Sequence, residues 1–314
     1  MVGRYIHGPK FVRTAFREHL SDSQSSWISG KVCIITGSSS GIGMYTAIGL
    51  AKMGATVVMV CRDQSRGEAA REEVVRLSGS KKENVDLMLA DLSSLDSVRE
   101  LASGFLQRYK NLHVLINNAG LILSKRSVTK DGLETTFEVN YLSHFLLTNL
   151  LLGMLKASAP SRIINVSSNA QARGHMNFED LQGERKYSMF GAYSQSKLAQ
   201  VLFTYELARR LQGTGVTVNC VHPGLVNSNW GRKSAGALSF GLRFAGPFSI
   251  SPEKGADTPI YLASSPVLAG VTGKYFTKRK AVPSSEESYS EAEAQRLWQV
   301  SLVLANLDGH EDNK

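Results

Sequence analysis

The amino-acid sequence predicts an α/β fold: a single doubly wound parallel sheet of about seven strands with helices on both faces. From residue 31 onward, short apolar runs alternate regularly with segments of helical periodicity. Several runs end in glycine-rich turns, and the runs are apolar at nearly every position, as in strands buried on both faces. This alternation is typical of β-α-β units, which place ligands at the carboxyl ends of their strands.

The strands follow from the apolar runs in chain order. The first run ends at the turn that begins with Gly37, and six runs of similar length follow it. The predicted strands are 32–36, 56–61, 85–90, 112–117, 162–167, 216–221 and 273–277. Because the connections are long enough to contain helices, we expect a parallel sheet of the Rossmann type.

The helices are predicted from periodicity and from glycines at their ends. Gly54 follows the first helix, and Gly213 and Gly215 follow the fifth. The predicted helices are 42–53, 65–77, 95–109, 132–156, 193–211 and 292–304. Segment 224–254, rich in Gly, Ser and Pro, interrupts the alternation and is either a lid over a pocket or a plain surface excursion.

Composition and charge limit the class of protein. The 314 residues are 42% hydrophobic and 20% charged, which is typical of a soluble globular chain. The net charge is +9, but the basic residues lie scattered among helices without interleaved aromatics, so we expect no nucleic-acid partner. Residues 1–27 form a basic extension before a catalytic domain at 28–314. The extension is either a membrane-surface or transit-like segment, or a short piece packed on the domain.

The three cysteines indicate neither a disulfide framework nor a metal site. Cys33, Cys61 and Cys220 lie at or near the ends of predicted strands, where a thiol fills buried apolar space. None has a metal-ligand spacing. We therefore expect no metal and an intracellular, reducing compartment, either cytoplasmic, mitochondrial or at a membrane surface.

A glycine-rich turn joins the first strand to the first helix. Glycines without Cβ atoms let the backbone bend tightly and let a pyrophosphate approach the helix N-terminus, where free N–H groups attract it. The strand before the turn and the helix after it favour this interpretation over an ordinary turn. The predicted cofactor-binding residues here are Gly37, Ser39, Ser40, Gly41, Ile42 and Gly43.

The end of the second strand indicates NADP rather than NAD. Folds that prefer NAD place a carboxylate there on the ribose hydroxyls, whereas an arginine accommodates a 2′-phosphate. This chain has Cys61 at the acidic position, followed by Arg62 and Asp63. Arg62 is the predicted phosphate ligand, and an ordinary ion pair between Arg62 and Asp63 is the alternative.

Two further strand ends are predicted to contact the cofactor. Asp91 and Leu92 follow the third strand, where the carboxylate can accept from the adenine amino group. A helix N-cap with Ser93 or Ser94 is the other interpretation, and the two are compatible. After the fourth strand, small residues leave room for a ribose, and after the sixth, a proline and a glycine shape the backbone. The predicted contacts there are Asn118, Ala119, Gly120, Pro223, Gly224 and Val226.

Tyr193 and Lys197 are the strongest candidates for catalysis. Residues four apart on a helix share a face, and an ammonium beside a phenol lowers its pKa from about 10 towards neutrality. Such a phenol can donate and accept a proton at physiological pH. Ser168, at the end of the fifth strand, can donate a hydrogen bond to a substrate carbonyl. Asn140 is either an irregularity in its helix or a satisfied buried amide.

With these residues assembled, segment 30–278 resembles the short-chain dehydrogenase/reductase superfamily. The resemblance rests on 36–43, on 117–120, and on the spacing of Asn140, Ser168, Tyr193, Lys197 and Pro223. It implies that Tyr193 is the acid/base and that Ser168 polarises the carbonyl. Lys197 would activate the tyrosine and bind the ribose, and Asn140 would anchor a water in a proton relay.

Segments 177–187 and 192–204 resemble the retinol dehydrogenase and WW-domain oxidoreductase branch. This implies an NADP(H)-dependent enzyme that interconverts an alcohol with its aldehyde or ketone, on a retinoid or another lipophilic substrate. An NADP-binding regulatory or scaffold protein with little turnover is the alternative. Helices 132–156 and 193–211 resemble the pair through which relatives form a homodimer, although a monomer core could also bury segment 145–155.

Overall fold

A computed structural model describes residues 27–225 and 250–307. Its strands form one sheet in the order β3-β2-β1-β4-β5-β6-β7-β8, which confirms the predicted α/β class. The strands are β1 Val32–Thr36, β2 Thr56–Cys61, β3 Val85–Leu89, β4 Val114–Asn117, β5 Ser161–Val166, β6 Val216–His222, β7 Lys274–Thr277 and β8 Lys280–Val282. Strands β1 to β7 pair in parallel, and the order reverses between β1 and β4.

The eighth strand corrects the expected number of about seven. It pairs antiparallel with β7 through a turn at Lys278 and Arg279, whose φ angles are +48° and +62°. Glycine and asparagine are the usual residues at such angles, so the basic pair carried no turn signal. With only three residues, β8 also lacks a period-two pattern.

Helices cover both faces of the sheet. They are α1 Gly41–Lys52, α2 Gln64–Ser78, α3 Leu95–Arg108, α4 Ser143–Ala157, α5 Met189–Arg210, α6 Pro252–Ser264 and α7 Glu291–Leu304. Two large apolar cores result, and alternate strand residues face each of them: Ile34 lies in the core with α3, α4 and α5, and Ile35 lies in the core with α1 and α6. The sheet is therefore buried on both faces, as its apolar strands require.

The predicted bounds of one helix and of the expected lid were wrong. The helix expected at 132–156 consists of a short turn Thr135–Phe137, a π-helix Glu138–Leu142 and then α4. Residue 132 is a glycine with a φ of +78°, so it belongs to the preceding turn. The end of the expected lid is also corrected, because Pro252–Ser264 is helix; residues 226–249 lie outside the described ones.

Helix α7 packs against α4 and α5 through an aromatic cluster. The Trp298 ring lies 5.0 Å from that of Phe145 and 5.9 Å from that of Phe203, measured between centroids. The Tyr141 and Ser301 hydroxyls are 2.7 Å apart. Phe145, Leu151 and Leu155 are fully buried within one chain, so this apolar stretch needs no partner subunit for its burial. In 27–225 and 250–307, no helix is both long and apolar enough to cross a membrane.

Candidate active site

The predicted site residues named here lie at the carboxyl edge of the sheet. Gly37 follows β1, Gly120 lies in the loop after β4, Ser168 lies just beyond β5, and Gly224 lies just beyond β6. Tyr193 lies on the second turn of α5, with Lys197 one turn further on. Because β1, β4, β5 and β6 are neighbours in the sheet, residues far apart in sequence meet in one crevice.

Tyr193, Ser168 and Lys197 lie together in this crevice. A side-chain hydrogen bond joins Tyr193 to Ser168, and the Lys197 Nζ lies 5.6 Å from the centre of the Tyr193 ring. Tyr193 is 8% exposed and Lys197 is 4% exposed. The group therefore combines a phenol and an amine that are nearly removed from water with a hydroxyl that is half-buried.

The expected fall in the Tyr193 pKa is not what the structure gives. Burial raises the pKa of the phenol above its usual value, and the hydrogen bond from Ser168 lowers it by less. Burial also lowers the pKa of the Lys197 ammonium to about 8. Desolvation disfavours the charged form of both groups, and at this separation it outweighs their mutual attraction.

The structure distinguishes Ser168 from its neighbour Ser167. The Ser167 hydroxyl is buried and donates to the Lys197 carbonyl at 2.8 Å, so it fastens β5 to α5. The Ser168 hydroxyl accepts from the Ala170 N–H at 3.2 Å and contacts Tyr193. Only Ser168 is placed to reach a substrate beside the phenol.

Lys197 is held by two acceptors. Its Nζ donates to the Val166 carbonyl at 3.0 Å and to the Gln200 Oε1 at 2.9 Å. Sequence reasoning missed Gln200, although its spacing of three from Lys197 and seven from Tyr193 places all three on one helix face. These bonds orient the amine towards the end of β5.

Asn140 lies in the π-helix and is fully buried. Its amide accepts from the Leu121 N–H at 2.7 Å and donates to the Leu121 carbonyl at 2.9 Å and to the Ser196 hydroxyl at 3.0 Å. Both readings of this residue therefore apply, since it is a satisfied buried amide at a helix irregularity, and π-turns of this kind occur frequently at functional sites. Ser196, next to Lys197, is a second partner that the sequence did not reveal.

The glycine turn leaves space and free donors for an anionic group. A Cβ on Gly37 would come within 2.8 Å of the Ala119 Cα, and one on Gly43 within 2.5 Å of the Gly37 carbonyl. Ser40 begins α1 without a side-chain cap, and the first turn has no acidic residue. By contrast, side chains cap the N-termini of α2, α3, α5, α6 and α7. An uncapped N-terminus behind a glycine cradle fits a pyrophosphate.

The residues after β4 are tied to the end of β1. The Thr36 Oγ1 accepts from the Asn118 N–H at 2.9 Å and from the Ala119 N–H at 3.0 Å. The Asn118 side-chain amide donates to the Thr36 carbonyl at 2.7 Å. Gly120 lies beside both Asn140 and Lys197, because a Cβ there would be 3.3 Å from the Asn140 Oδ1 and 3.5 Å from the Lys197 Nζ. This loop connects the cradle to the group formed by Tyr193, Ser168 and Lys197.

Arg62 lies exposed just past the end of β2. The Asp63 carboxylate caps α2 by accepting from the Arg66 N–H at 2.8 Å. The Cys61 thiol instead faces the glycine turn, within 3.7 Å of the Ser38 hydroxyl, and also contacts Ser39. Arg62 is exposed, and it follows directly after the cysteine whose thiol faces the turn.

The remaining predicted contacts occupy the rim of the crevice. Asp91 accepts from the N–H and hydroxyl of Ser93 at 3.0 and 2.7 Å, while Ser94 caps α3, so Asp91 is not the helix cap. The Leu92 carbonyl accepts from the Ser143 hydroxyl at 2.6 Å. Gly224 has a φ of +96°, and Val226 lies outside the described residues.

His222 precedes Pro223 at this rim and acts as an acceptor. Its Nδ1 accepts from the Asn169 N–H at 3.3 Å, and burial lowers its pKa to about 4. The ring is therefore neutral near pH 7. Within the described part of the chain, no three His, Cys, Asp or Glu side chains are grouped as metal ligands would be.

A dinucleotide cradle beside a buried phenol and amine defines the class of nicotinamide-dependent oxidoreductases built on a doubly wound sheet. The family model described as short chain dehydrogenase matches residues 31–237. The chain belongs to the short-chain dehydrogenases/reductases, and the predicted resemblance to their retinol dehydrogenase branch is confirmed. It is thus an oxidoreductase that acts on CH–OH groups with a nicotinamide cofactor.

The most similar relatives include three retinol dehydrogenases. Human retinol dehydrogenase 12 is 47% identical over 280 residues, covering 89% of this chain and 88% of its own length. Mouse retinol dehydrogenase 14 is 46% identical over 289 residues, with coverages of 88% and 86%. Mouse retinol dehydrogenase 13 is 44% identical over 313 residues, with coverages of 98% and 93%.

Solved structures share the fold. A protein from Mycobacterium paratuberculosis has a TM-score of 0.72 and 34% identity, covering 89% of this chain and 94% of its own. Pseudomonas aeruginosa RhlG, solved as an active-site complex with NADP, has a TM-score of 0.65 and 28% identity, with coverages of 80% and 95%. The similarity therefore extends over the whole core that carries the site.

Proposed function

We propose that this protein is an NADP(H)-dependent oxidoreductase that interconverts an alcohol with its aldehyde or ketone on a lipophilic substrate. One observation carries the proposal: Ser168 hydrogen-bonds a buried Tyr193 next to Lys197, at the edge of the sheet where the glycine cradle lies. A donor and a proton source then face the same point in the crevice.

The chain's own residues would divide the work between them. When bound, the nicotinamide supplies or accepts the hydride. In the reduction direction, Tyr193 donates a proton to the carbonyl oxygen, and the Ser168 hydroxyl donates a hydrogen bond as negative charge develops there. The buried Lys197 amine stabilises the negative charge left on the phenol, and the Val166 carbonyl and Gln200 hold it in place.

The choice of NADP rests on Arg62 and Cys61. The exposed guanidinium beside the cradle can pair with a 2′-phosphate, and no carboxylate stands at Cys61 to repel it. We expect kcat/KM with NADPH to exceed that with NADH, and Arg62→Gln to reduce the NADPH value by about tenfold or more. Arg76→Gln, which breaks an ion pair with Glu73 at the far end of α2, is the matched control. A larger kcat/KM with NADH would contradict this assignment.

A lipophilic substrate is supported by the rim and by the relatives. Phe190 is 65% exposed one turn before Tyr193, and Leu225 is 52% exposed next to Gly224. Large exposed apolar side chains at the mouth of a crevice favour an apolar ligand. The relatives are named as retinol dehydrogenases, so retinal is the first substrate to test.

The test follows NADPH absorbance with retinal, medium-chain aldehydes and steroid ketones, with NADH in parallel. Oxidation of NADPH with one carbonyl class would support the enzyme and identify the class that its pocket accepts. NADPH binding without turnover of any of them would instead favour the alternative, a regulatory or scaffold protein.

The homodimer, the membrane contact and the compartment stay predictions. Sedimentation at micromolar concentration tests the homodimer. Segment 145–155 is buried within one chain, so its need for burial gives less support to a homodimer than the sequence suggested. Deleting residues 1–26 before a liposome flotation assay tests the membrane contact. The three cysteines are free and buried, which suits a reducing compartment.

A further inference from the structure

A buried histidine connects the cofactor cradle to the catalytic group. His144, the second residue of α4, is 1% exposed and lies between the end of β1 and the π-helix. Its Nε2 is 2.9 Å from the Thr36 Oγ1, and its Nδ1 is 3.1 Å from the Asn140 carbonyl oxygen. Both ring nitrogens are therefore used, and each reaches a different part of the site.

The hydrogen bonds fix the direction of this connection. The Thr36 Oγ1 already accepts two N–H groups, from Asn118 and Ala119. Its own hydrogen goes to the His144 Nε2 at 2.9 Å in preference to the Ile116 carbonyl at 3.4 Å. The Nε2 is then an acceptor, so the Nδ1 of the neutral ring carries the hydrogen and donates it to Asn140. Burial lowers the pKa of His144 to about 4, which keeps the ring neutral.

Asn140 continues the connection towards Lys197. Its side chain holds both backbone groups of Leu121 and the Ser196 hydroxyl, and Gly120 lies between its Oδ1 and the Lys197 Nζ. A shift of the Asn140 turn would therefore move the loop after β4 relative to α5. Misplacement by about 1 Å can lower an enzymatic rate by about 100-fold.

We propose that His144 is a positioning residue, which sets the register between the dinucleotide cradle at Thr36 and the Asn140–Lys197 group through its two ring hydrogen bonds. This inference rests on the proposed function. It adds a residue that touches neither Tyr193 nor Ser168 but determines how the two halves of the crevice meet.

Three variants of the full chain test it. His144→Leu removes both hydrogen bonds, whereas His144→Asn keeps a donor at the place of Nδ1 and loses only the contact to Thr36. The matched control is His113→Leu. His113 lies at the opposite end of the same strand pair, where its Nδ1 accepts from the Val32 N–H at 3.1 Å.

We expect His144→Leu to lower kcat by about tenfold or more and to raise the NADPH Kd several-fold, roughly as a misplaced site would. His144→Asn should lose nearly as much as His144→Leu, because the bond to Thr36 is broken in both variants, and His113→Leu should change the melting temperature alone. Wild-type kcat and Kd in His144→Asn would overturn the proposal, as would unchanged kcat and Kd in His144→Leu. If the wild type reduces no carbonyl, the proposed function fails, and the Kd series still decides the role of His144.

Discussion

Polar side chains have different roles at the two edges of the sheet. At the amino edge, polar side chains fasten neighbouring segments: the Ser158 hydroxyl accepts from the Leu112 N–H at 3.0 Å, and the Arg162 guanidinium donates to the Leu262 carbonyl at 2.8 Å. The same guanidinium stacks on the Trp27 ring at 4.0 Å. At the carboxyl edge, Ser168 and Tyr193 instead converge on a crevice. One edge holds the fold together, and the other holds groups ready for a ligand.

The difference follows from the direction of the strands. In a parallel sheet, helices end at the amino edge and begin at the carboxyl edge, so the positive ends of helix dipoles collect where the strands finish. Among the described helices, side chains cap α2, α3, α5, α6 and α7, whereas α1 begins directly after a glycine turn without such a cap. The edge at which we expect the anionic cofactor is thus set by topology, and its place along that edge by the start of α1.

The largest expected effect is on kcat, and it is tested by replacing one tyrosine at each edge of the sheet. Tyr193→Phe removes the proton donor and should lower kcat by roughly 100- to 10,000-fold while NADPH affinity stays near that of the wild type. Tyr109→Phe removes a hydroxyl that donates to the Asp86 carboxylate at 2.6 Å, away from the crevice, and should leave kcat unchanged. Steady-state kinetics with a fluorescence titration of NADPH measures both. Near-normal turnover in Tyr193→Phe would remove the proposed acid/base.

A second comparison uses the acid sensitivity of buried histidines. The pKa of His144 is about 4 in the folded protein, below its usual value near ~6.5, so the unfolded chain binds the proton first as pH falls. As the pH falls from ~6.5 to ~4, protonation of this group in the unfolded chain therefore lowers the free energy of unfolding by about 3 kcal/mol. At the amino edge, burial lowers the pKa of His113 by less.

Urea unfolding at several pH values between neutral and pH ~4 measures this effect. His144→Asn should lose less stability on acidification than the wild type, and His113→Asn should stay closer to it. Equal pH slopes for the wild type and His144→Asn would show that this ring does not resist protonation.

The smallest expected effect is on stability and NADPH affinity, and it is tested by replacing one glycine at each edge. A Cβ on Gly43 would meet the Gly37 carbonyl at 2.5 Å and the Asn118 Nδ2 at 2.6 Å, so Gly43→Ala should cost about 1–3 kcal/mol and weaken NADPH binding. Gly30, before β1 at the amino edge, has a φ of +72° with open space around it. Gly30→Ala should cost about 1 kcal/mol and leave NADPH binding unchanged. Thermal unfolding and NADPH titration of both variants check this, and equal losses of affinity would contradict it.

The sequence predicted the sheet and the crevice well because their signals are local. Apolar runs such as Val32–Thr36 were found within a residue or two of their observed ends, since each strand is buried on both faces. Tyr193 and Lys197 were paired by their spacing on a helix, and Ser168 was placed near them by its position at the end of a strand. Their roles in catalysis stay predictions until the variants are measured.

What the sequence did not reveal depends on burial and on contacts between distant segments. The rise in the Tyr193 pKa comes from desolvation, which spacing on a helix cannot show. His144 and Gln200 look like ordinary helix residues until Thr36 and Lys197 are seen beside them. The helix Pro252–Ser264 was missed because Pro259 lies within it, and an internal proline argues against a helix.

The packing of α7 also governs when the active site can form during synthesis. Trp298 covers Phe203, on the part of α5 just beyond Lys197, so the helix that carries the proposed catalytic pair is completed by residues about a hundred positions later. A chain leaves the ribosome N-terminus first, and its early segments begin to fold before the late ones appear. The cradle at 36–43 can thus assemble early, whereas the catalytic helix gains its full support only after residue 304 has emerged.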